Sequence, residues 1–114
     1  MVLSGPLDSL RRGIAEFCVL GILDGGEAYG WEISKVLSER GLIAGEGTLY
    51  PLLNRLHREG LVSTRWQQSE SGRRRKYYAL TGEGYARLNA FRGVWGEFRN
   101  NVDKTIGSHD GGQG

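Results

Sequence analysis

Apolar residues recur along this chain at helical spacing in four places and alternate with polar ones in two short runs between them. The first stripe is Leu10, Ile14, Phe17 and Cys18, the i, i+4, i+7, i+8 pattern of one buried helix face. Asp8 or Ser9 can cap that helix. From Phe17 to Leu23 (FCVLGIL) the pattern becomes apolar all round. A small domain does not usually cover every face of a helix, so this stretch calls for a second packing partner. Asp24-Gly25-Gly26 breaks it. A second helix is predicted from Tyr29 to Arg40, with Tyr29, Ile33, Val36 and Leu37 inward and Glu32, Lys35 and Glu39 outward; Gly41 stops it. At about 100° per residue, Trp31 falls opposite the core face. It serves either as boundary packing or as part of a ligand or subunit surface.

The third stripe is Leu49, Leu52, Leu53 and Leu56. It leaves Gly47, Thr48, Pro51, Asn54, Arg55 and Arg58 on the outer face, with Tyr50 and His57 on one flank. Pro51 belongs in a first turn, so the helix is expected to begin near Thr48; Gly60 ends it. LVSTRW, a turn at QQSESG and RRRKYYAL then read as a β-hairpin. Thr81 caps a last helix with Glu83 in its first turn, but its third position is Gly84, so a full capping box is absent. Leu88, Phe91, Trp95, Phe98, Val102 and Thr105 follow at steps of 3, 4, 3, 4, 3, an a/d seam of about three heptads. The seam is expected to pack against either the body of the domain or another subunit. Dimerisation would bury it best, with the all-apolar end of the first helix as the natural partner surface. The expected interface is Phe17, Leu20, Leu88, Phe91, Trp95, Phe98 and Val102.

The fold class is therefore mainly α with a small β-hairpin: a winged helix-turn-helix plus one long C-terminal dimerisation helix. Its divisions are residues 8–80 for the winged unit, 81–106 for the terminal helix and 107–114 for a disordered Gly-rich tail.

Net charge is only +2 over 114 residues, but its distribution is uneven. Residues 1–46 carry four Lys/Arg against seven Asp/Glu, and residues 47–76 carry seven against two. The positive field is thus concentrated on the third helix and the hairpin, as expected of a protein that meets phosphate with one surface. One cysteine, Cys18, excludes an internal disulfide framework and reads as a core thiol. No run approaches the ~20 apolar residues of a membrane span, so no membrane association is expected and the chain reads as cytoplasmic. Neither His57 nor His109 has a catalytic partner nearby, and Gly45-x-Gly47 lacks the strand and lysine of a nucleotide loop. No enzymatic activity and no cofactor or metal are expected.

DNA affinity comes mainly from cations set against phosphates, and specificity from a few side chains at base edges. Thr48, Tyr50 and Asn54 offer hydrogen-bonding groups on the N-terminal half of the third helix, where a recognition helix meets the major groove. Arg55 can reach a guanine edge or a phosphate, and Arg58 a phosphate. Arg73, Arg74, Arg75 and Lys76 open the second strand; alternation sends about two of the four to each face. On an isolated surface these would be ordinary solvated residues. Beside a recognition helix they form a phosphate clamp or a minor-groove probe.

YGWEI (29–33), GTLYPLLNRLHREGL (47–61), Trp66 and GRRRKYYALTGEG (72–84) resemble the PadR family of transcriptional regulators. The single C-terminal helix resembles the small subfamily that includes a lactococcal multidrug-responsive regulator. The resemblance implies a homodimeric repressor whose terminal helix swaps against the partner's first helix. It implies binding to a palindromic operator near the protein's own or a neighbouring promoter, often for efflux or detoxification genes. Thr48, Tyr50 and Arg55 match helix positions implicated in DNA contact, and Arg74, Arg75 and Lys76 match the wing. Trp95 falls where that relative stacks planar drugs between paired indoles, which implies a planar aromatic effector. The residues themselves leave two roles open for Trp95. Gly93 and Gly96 beside it each cost about 1 kcal/mol relative to alanine, offset either by close helix approach or by room for a flat ligand. The competing function is a winged-helix adaptor that binds another protein and has no operator.

Overall fold

The computed structural model describes residues 5–107. Four helices and three short strands follow in the order α1 (Asp8–Asp24), β1 (Ala28–Tyr29), α2 (Gly30–Glu39), α3 (Glu46–Arg58), β2 (Val62–Gln68), β3 (Arg74–Leu80) and α4 (Gly82–Ile106). The expected winged helix-turn-helix is there, with its hairpin widened to a three-stranded antiparallel sheet of order β1-β3-β2. β1 is the unexpected member. Only two residues long, it pairs Ala28 with Tyr78 and Tyr29 with Tyr77. A two-residue strand shows no alternation, and the helical spacing places Tyr29 in the following helix.

Three further boundaries differ from expectation. α1 is preceded at its cap position by Leu7, which offers no side-chain hydrogen bond; Asp8 lies inside the helix and pairs with Arg12 at 2.6 Å. α3 starts at Glu46, two residues before Thr48, so Pro51 sits within the helix instead of its first turn. The absent Pro51 N–H would have bonded the Gly47 carbonyl. Both residues are exposed, so water can serve that carbonyl. In the wing, Gln67 and Gln68 belong to β2, and the loop tightens to residues 69–73 with Gly72 at φ 90°. Arg73 therefore lies in the loop, its carbonyl accepting from Ser69 N–H at 2.7 Å. Of the Gly-rich tail only Gly107 is among the described residues.

The core is one cluster of Val19, Leu20, Leu23, Ile33, Leu37, Leu49, Leu53, Leu56, Leu61, Val62, Tyr78 and Leu88 with their neighbours. It draws on all four helices, so the stripes read from periodicity converge on one interior. Gly60 ends α3 at φ 79°. The α3–β2 corner also anchors α4. Thr81 Oγ1 donates to the Gly60 carbonyl at 2.7 Å and accepts the Gly84 N–H at 3.0 Å. A Cβ on Gly84 would lie 2.1 Å from the Leu61 carbonyl oxygen. This close approach accounts for the missing capping box: the third helical position must be glycine for α4 to sit against the corner.

Candidate nucleic-acid interface

Two elements build the polar face. α3 turns Leu49, Leu53 and Leu56 into the core and leaves Tyr50, Asn54 and Arg58 exposed on the other side. Tyr50 is held by its packing over Gly30 at the start of α2, where an added Cβ would come within 2.6 Å of the phenol oxygen. Burial of the phenol, with Glu46 nearby, pushes its pKa up, so the hydroxyl stays protonated and able to donate. Thr48 is exposed, and its hydroxyl donates to the Gly45 carbonyl at 2.9 Å, tightening the first turn.

The hairpin register distributes the wing cations. Trp66 stands opposite Lys76, and Gln68 opposite Arg74. Arg74, Lys76 and Trp66 share one face of the sheet. The Arg74 guanidinium lies 4.8 Å and the Lys76 ammonium 5.8 Å from the Trp66 ring centroid. Trp66 is 54% exposed, so the indole is a solvated platform flanked by two cations. Arg75 takes the opposite face and stacks 4.5 Å from the Tyr29 centroid. The same face carries Arg65 over Tyr77, bonded to Glu27. That hydrogen bond holds the Glu27 carboxyl below the usual range.

These elements meet in one groove of about 420 Å³, lined by Trp31, Tyr50, Asn54, Trp66, Arg74 and Lys76 among others. Trp31, on the outer face of α2 as its position in the pattern indicates, is 53% exposed there. Among the described residues, Arg58, Arg73, Arg74, Arg75 and Lys76 have no acidic group within ion-pairing distance. Their charge is not neutralised by a carboxylate.

Arg55 differs from its expected outward placement. Its guanidinium turns toward α1, meeting Glu16 at 3.2 Å, with Glu59 at 3.3 Å on the other side. Partial burial would lower its pKa, but the bonds to Glu16 and Glu59 outweigh that and hold it above the ordinary value. At about 100° per residue, Arg55 lies on the flank of α3, well off the Asn54–Arg58 face. Glu16, which sequence reasoning missed, lies 39 positions away in the chain, and helical periodicity carries no sign of such a pairing.

The terminal helix divides the expected seam in two. Leu20 and Leu88, expected at the interface, are buried in the core of this chain at 0% and 3% exposure. Phe91 stacks on Phe17 with centroids 4.0 Å apart, so this part of α4 packs on its own α1. Trp95 follows, 5.2 Å from Phe91 and 6.0 Å from Phe98. Beyond it the helix is uncovered: Val94 is 62%, Phe98 58% and Ile106 76% exposed, with Val102 also exposed. Val94 and Ile106 were not read from the heptads; they complete an i, i+4, i+8, i+12 stripe. Trp95 borders two apolar hollows, one of about 440 Å³ against Leu10 and Ile14, the other of about 370 Å³ against Phe17 and Cys18. Cys18 is half-buried, which raises its thiol pKa. Apart from their chain neighbours and the nearby backbone of α4, nothing among the described residues lies within 4 Å of a Cβ built on Gly93 or Gly96. Packing inside the chain does not explain these two glycines.

The profile of the Transcriptional regulator PadR-like family matches residues 19–90, and the chain belongs to that family. Transcriptional regulator Rv3488 of Mycobacterium tuberculosis is 36% identical over 106 residues, covering 91% of this chain and 95% of that protein. Among solved structures, a PadR-like transcriptional regulator from Bacillus cereus superposes with a TM-score of 0.79 at 33% identity, covering 89% of this chain and 99% of that one. Bacillus subtilis PadR in complex with operator DNA matches with a TM-score of 0.63 at 28% identity, over 68% of this chain and 46% of that one. The fold is the PadR-like winged helix with a long C-terminal helix, and the family is one of transcriptional regulators, not of enzymes. Among the described residues no helix is long and apolar enough to cross a membrane.

Proposed function

We propose that this chain is a homodimeric DNA-binding repressor acting in the cytoplasm on a palindromic operator near its own or a neighbouring gene. The observation that carries the reading is the groove between α3 and the wing, where Arg74 and Lys76 flank Trp66 with no acidic partner among the described residues. Unneutralised cations beside an exposed recognition helix suit phosphate contact, and Tyr50 and Asn54 suit base edges. Thr48 at the first turn and Arg58 further along add backbone contacts, with Arg73 and Arg75 at the wing. The operator complex of Bacillus subtilis PadR supports the same use of the fold.

The exposed stripe of Val94, Phe98, Val102 and Ile106 supports dimerisation, with Phe17, Phe91 and Trp95 at its margin. The hollows beside Trp95 also suit a planar aromatic effector that releases DNA, as in the multidrug-responsive subfamily, and efflux or detoxification genes would be its targets. The test is selection of duplexes from a randomised pool, followed by footprinting on DNA flanking the gene, with and without planar dyes. A selected palindrome and dye-induced release support the reading. Recovery of no preferred duplex at low salt overturns it and favours the adaptor role.

A further inference from the structure

Glu16 joins three helices with one carboxylate. Its side chain is only 14% exposed. Oε1 accepts from Arg55 Nη2 at 3.2 Å, and Oε2 accepts from Arg87 Nη1 at 3.0 Å. Arg55 belongs to α3 and Arg87 to α4, so one unit of negative charge is shared between the proposed reading helix and the helix that carries the apolar stripe. Arg55 Nη1 is further held by Glu59 at 3.3 Å. Arg87, Phe91 and Trp95 follow at steps of four on one side of α4, and Phe91 is the ring stacked on Phe17. Any shift of α4 that repacks those rings also moves Arg87.

We propose that Glu16 is a positioning residue that sets how freely Arg55 can reach DNA and makes that freedom depend on α4. With Arg87 engaged, the carboxylate divides its pull, and Arg55 can exchange Glu16 for a phosphate or a base edge. With Arg87 withdrawn, the whole charge faces Arg55 and retains it. Movement at Trp95 would thus weaken DNA binding without altering the groove itself. This inference rests on the DNA-binding reading above and concerns how that binding is controlled.

The sign of the effect separates this role from simple bracing. A structural staple would weaken binding when either partner is removed. Here Glu16→Gln should tighten binding and Arg87→Gln should weaken it, each by about two- to fivefold, the size of one partly exposed ion pair. The measurement is fluorescence anisotropy of the full chain on a duplex selected by wild type, at fixed salt, with each variant's fold checked by circular dichroism. The loss from Arg87→Gln should vanish in the Glu16→Gln background, and the gain from Glu16→Gln should vanish in the Arg55→Gln background. Weaker binding by Glu16→Gln overturns the proposal. So does an Arg87→Gln loss that persists without Glu16, which would mean direct contact with DNA. A Glu16→Gln gain that survives without Arg55 is net charge alone and also overturns it. Should Glu16→Gln fail to fold, the cycle between Arg87→Gln and Arg55→Gln decides the matter: independent effects overturn the proposal. If wild type selects no duplex, the DNA-binding reading falls too; a selected duplex indifferent to Glu16 and Arg87 removes this inference alone.

Discussion

Trp66 and Trp95 are both partly solvated indoles, yet their surroundings are opposite. Trp66 lies between Arg74 and Lys76 on the wing. Trp95 lies in a row of rings with Phe91 and Phe98, bordered by apolar hollows. Exposure alone therefore says little about purpose, because most protein surfaces carry some apolar area. The neighbours decide. An indole flanked by unneutralised cations suits a polyanion, whereas an indole on an apolar stripe suits another apolar surface. One chain thus presents two faces that ask for chemically different partners.

The comparison breaks most severely at Phe98. Phe98→Asp should abolish the proposed dimer, costing about 3 kcal/mol or more, since each of two symmetric side chains is worth roughly 1.5–3 kcal/mol when buried. Sedimentation should show monomers of unchanged fold; an unchanged association constant would take Phe98 out of the interface. Gly84→Ala acts at the joint between the two faces. Its methyl group meets the Leu61 carbonyl, so stability should fall by about 1–3 kcal/mol, read from urea midpoints. Unaltered stability would mean that α4 can pivot freely on the α3–β2 corner. Trp66→Ala should cost only about 0.5–1 kcal/mol of DNA affinity and leave dimerisation untouched. If it affects the dimer instead, the two indoles have been assigned to the wrong faces.

The smallest effect is on the far side of the wing. The Arg65 hydrogen bond depresses the Glu27 pKa in the folded state. A depressed folded pKa adds stability that is present above the unfolded carboxyl value and lost as pH falls through the folded value. Carbon-detected titration should find Glu27 protonating at lower pH in wild type than in an Arg65→Gln variant. Equal midpoints would dissolve the pair.

The helix order, the hairpin and the apolar side of the last helix were legible in the sequence because each depends on local periodicity and turn chemistry. β1 was not, since two residues carry no period. The ordinary preference of proline for a first turn points to a start near Thr48, whereas α3 begins at Glu46 and carries Pro51 in its interior. The burial of Leu20 and Leu88 was hidden for a different reason. Periodicity identifies an apolar face but does not name what covers it, and here the chain covers both residues itself. Arg55 marks the sharpest limit: its partner Glu16 is distant in the chain, and only the packing of α1 against α3 and α4 brings the charges together. Gly84 was noticed as a departure from a capping pattern, and the reason for it emerged from the nearby Leu61 carbonyl.

The most direct test of the proposed reader is the salt dependence of duplex binding by wild type and by the Arg74→Gln/Lys76→Gln variant. Affinity for the selected duplex should fall linearly on logarithmic axes as salt rises. Loss of two phosphate contacts should flatten that slope by about 1.8, at roughly 0.9 per contact, for all duplexes alike. An unchanged slope, or wild-type binding indifferent to salt, would contradict the assignment of this face to DNA.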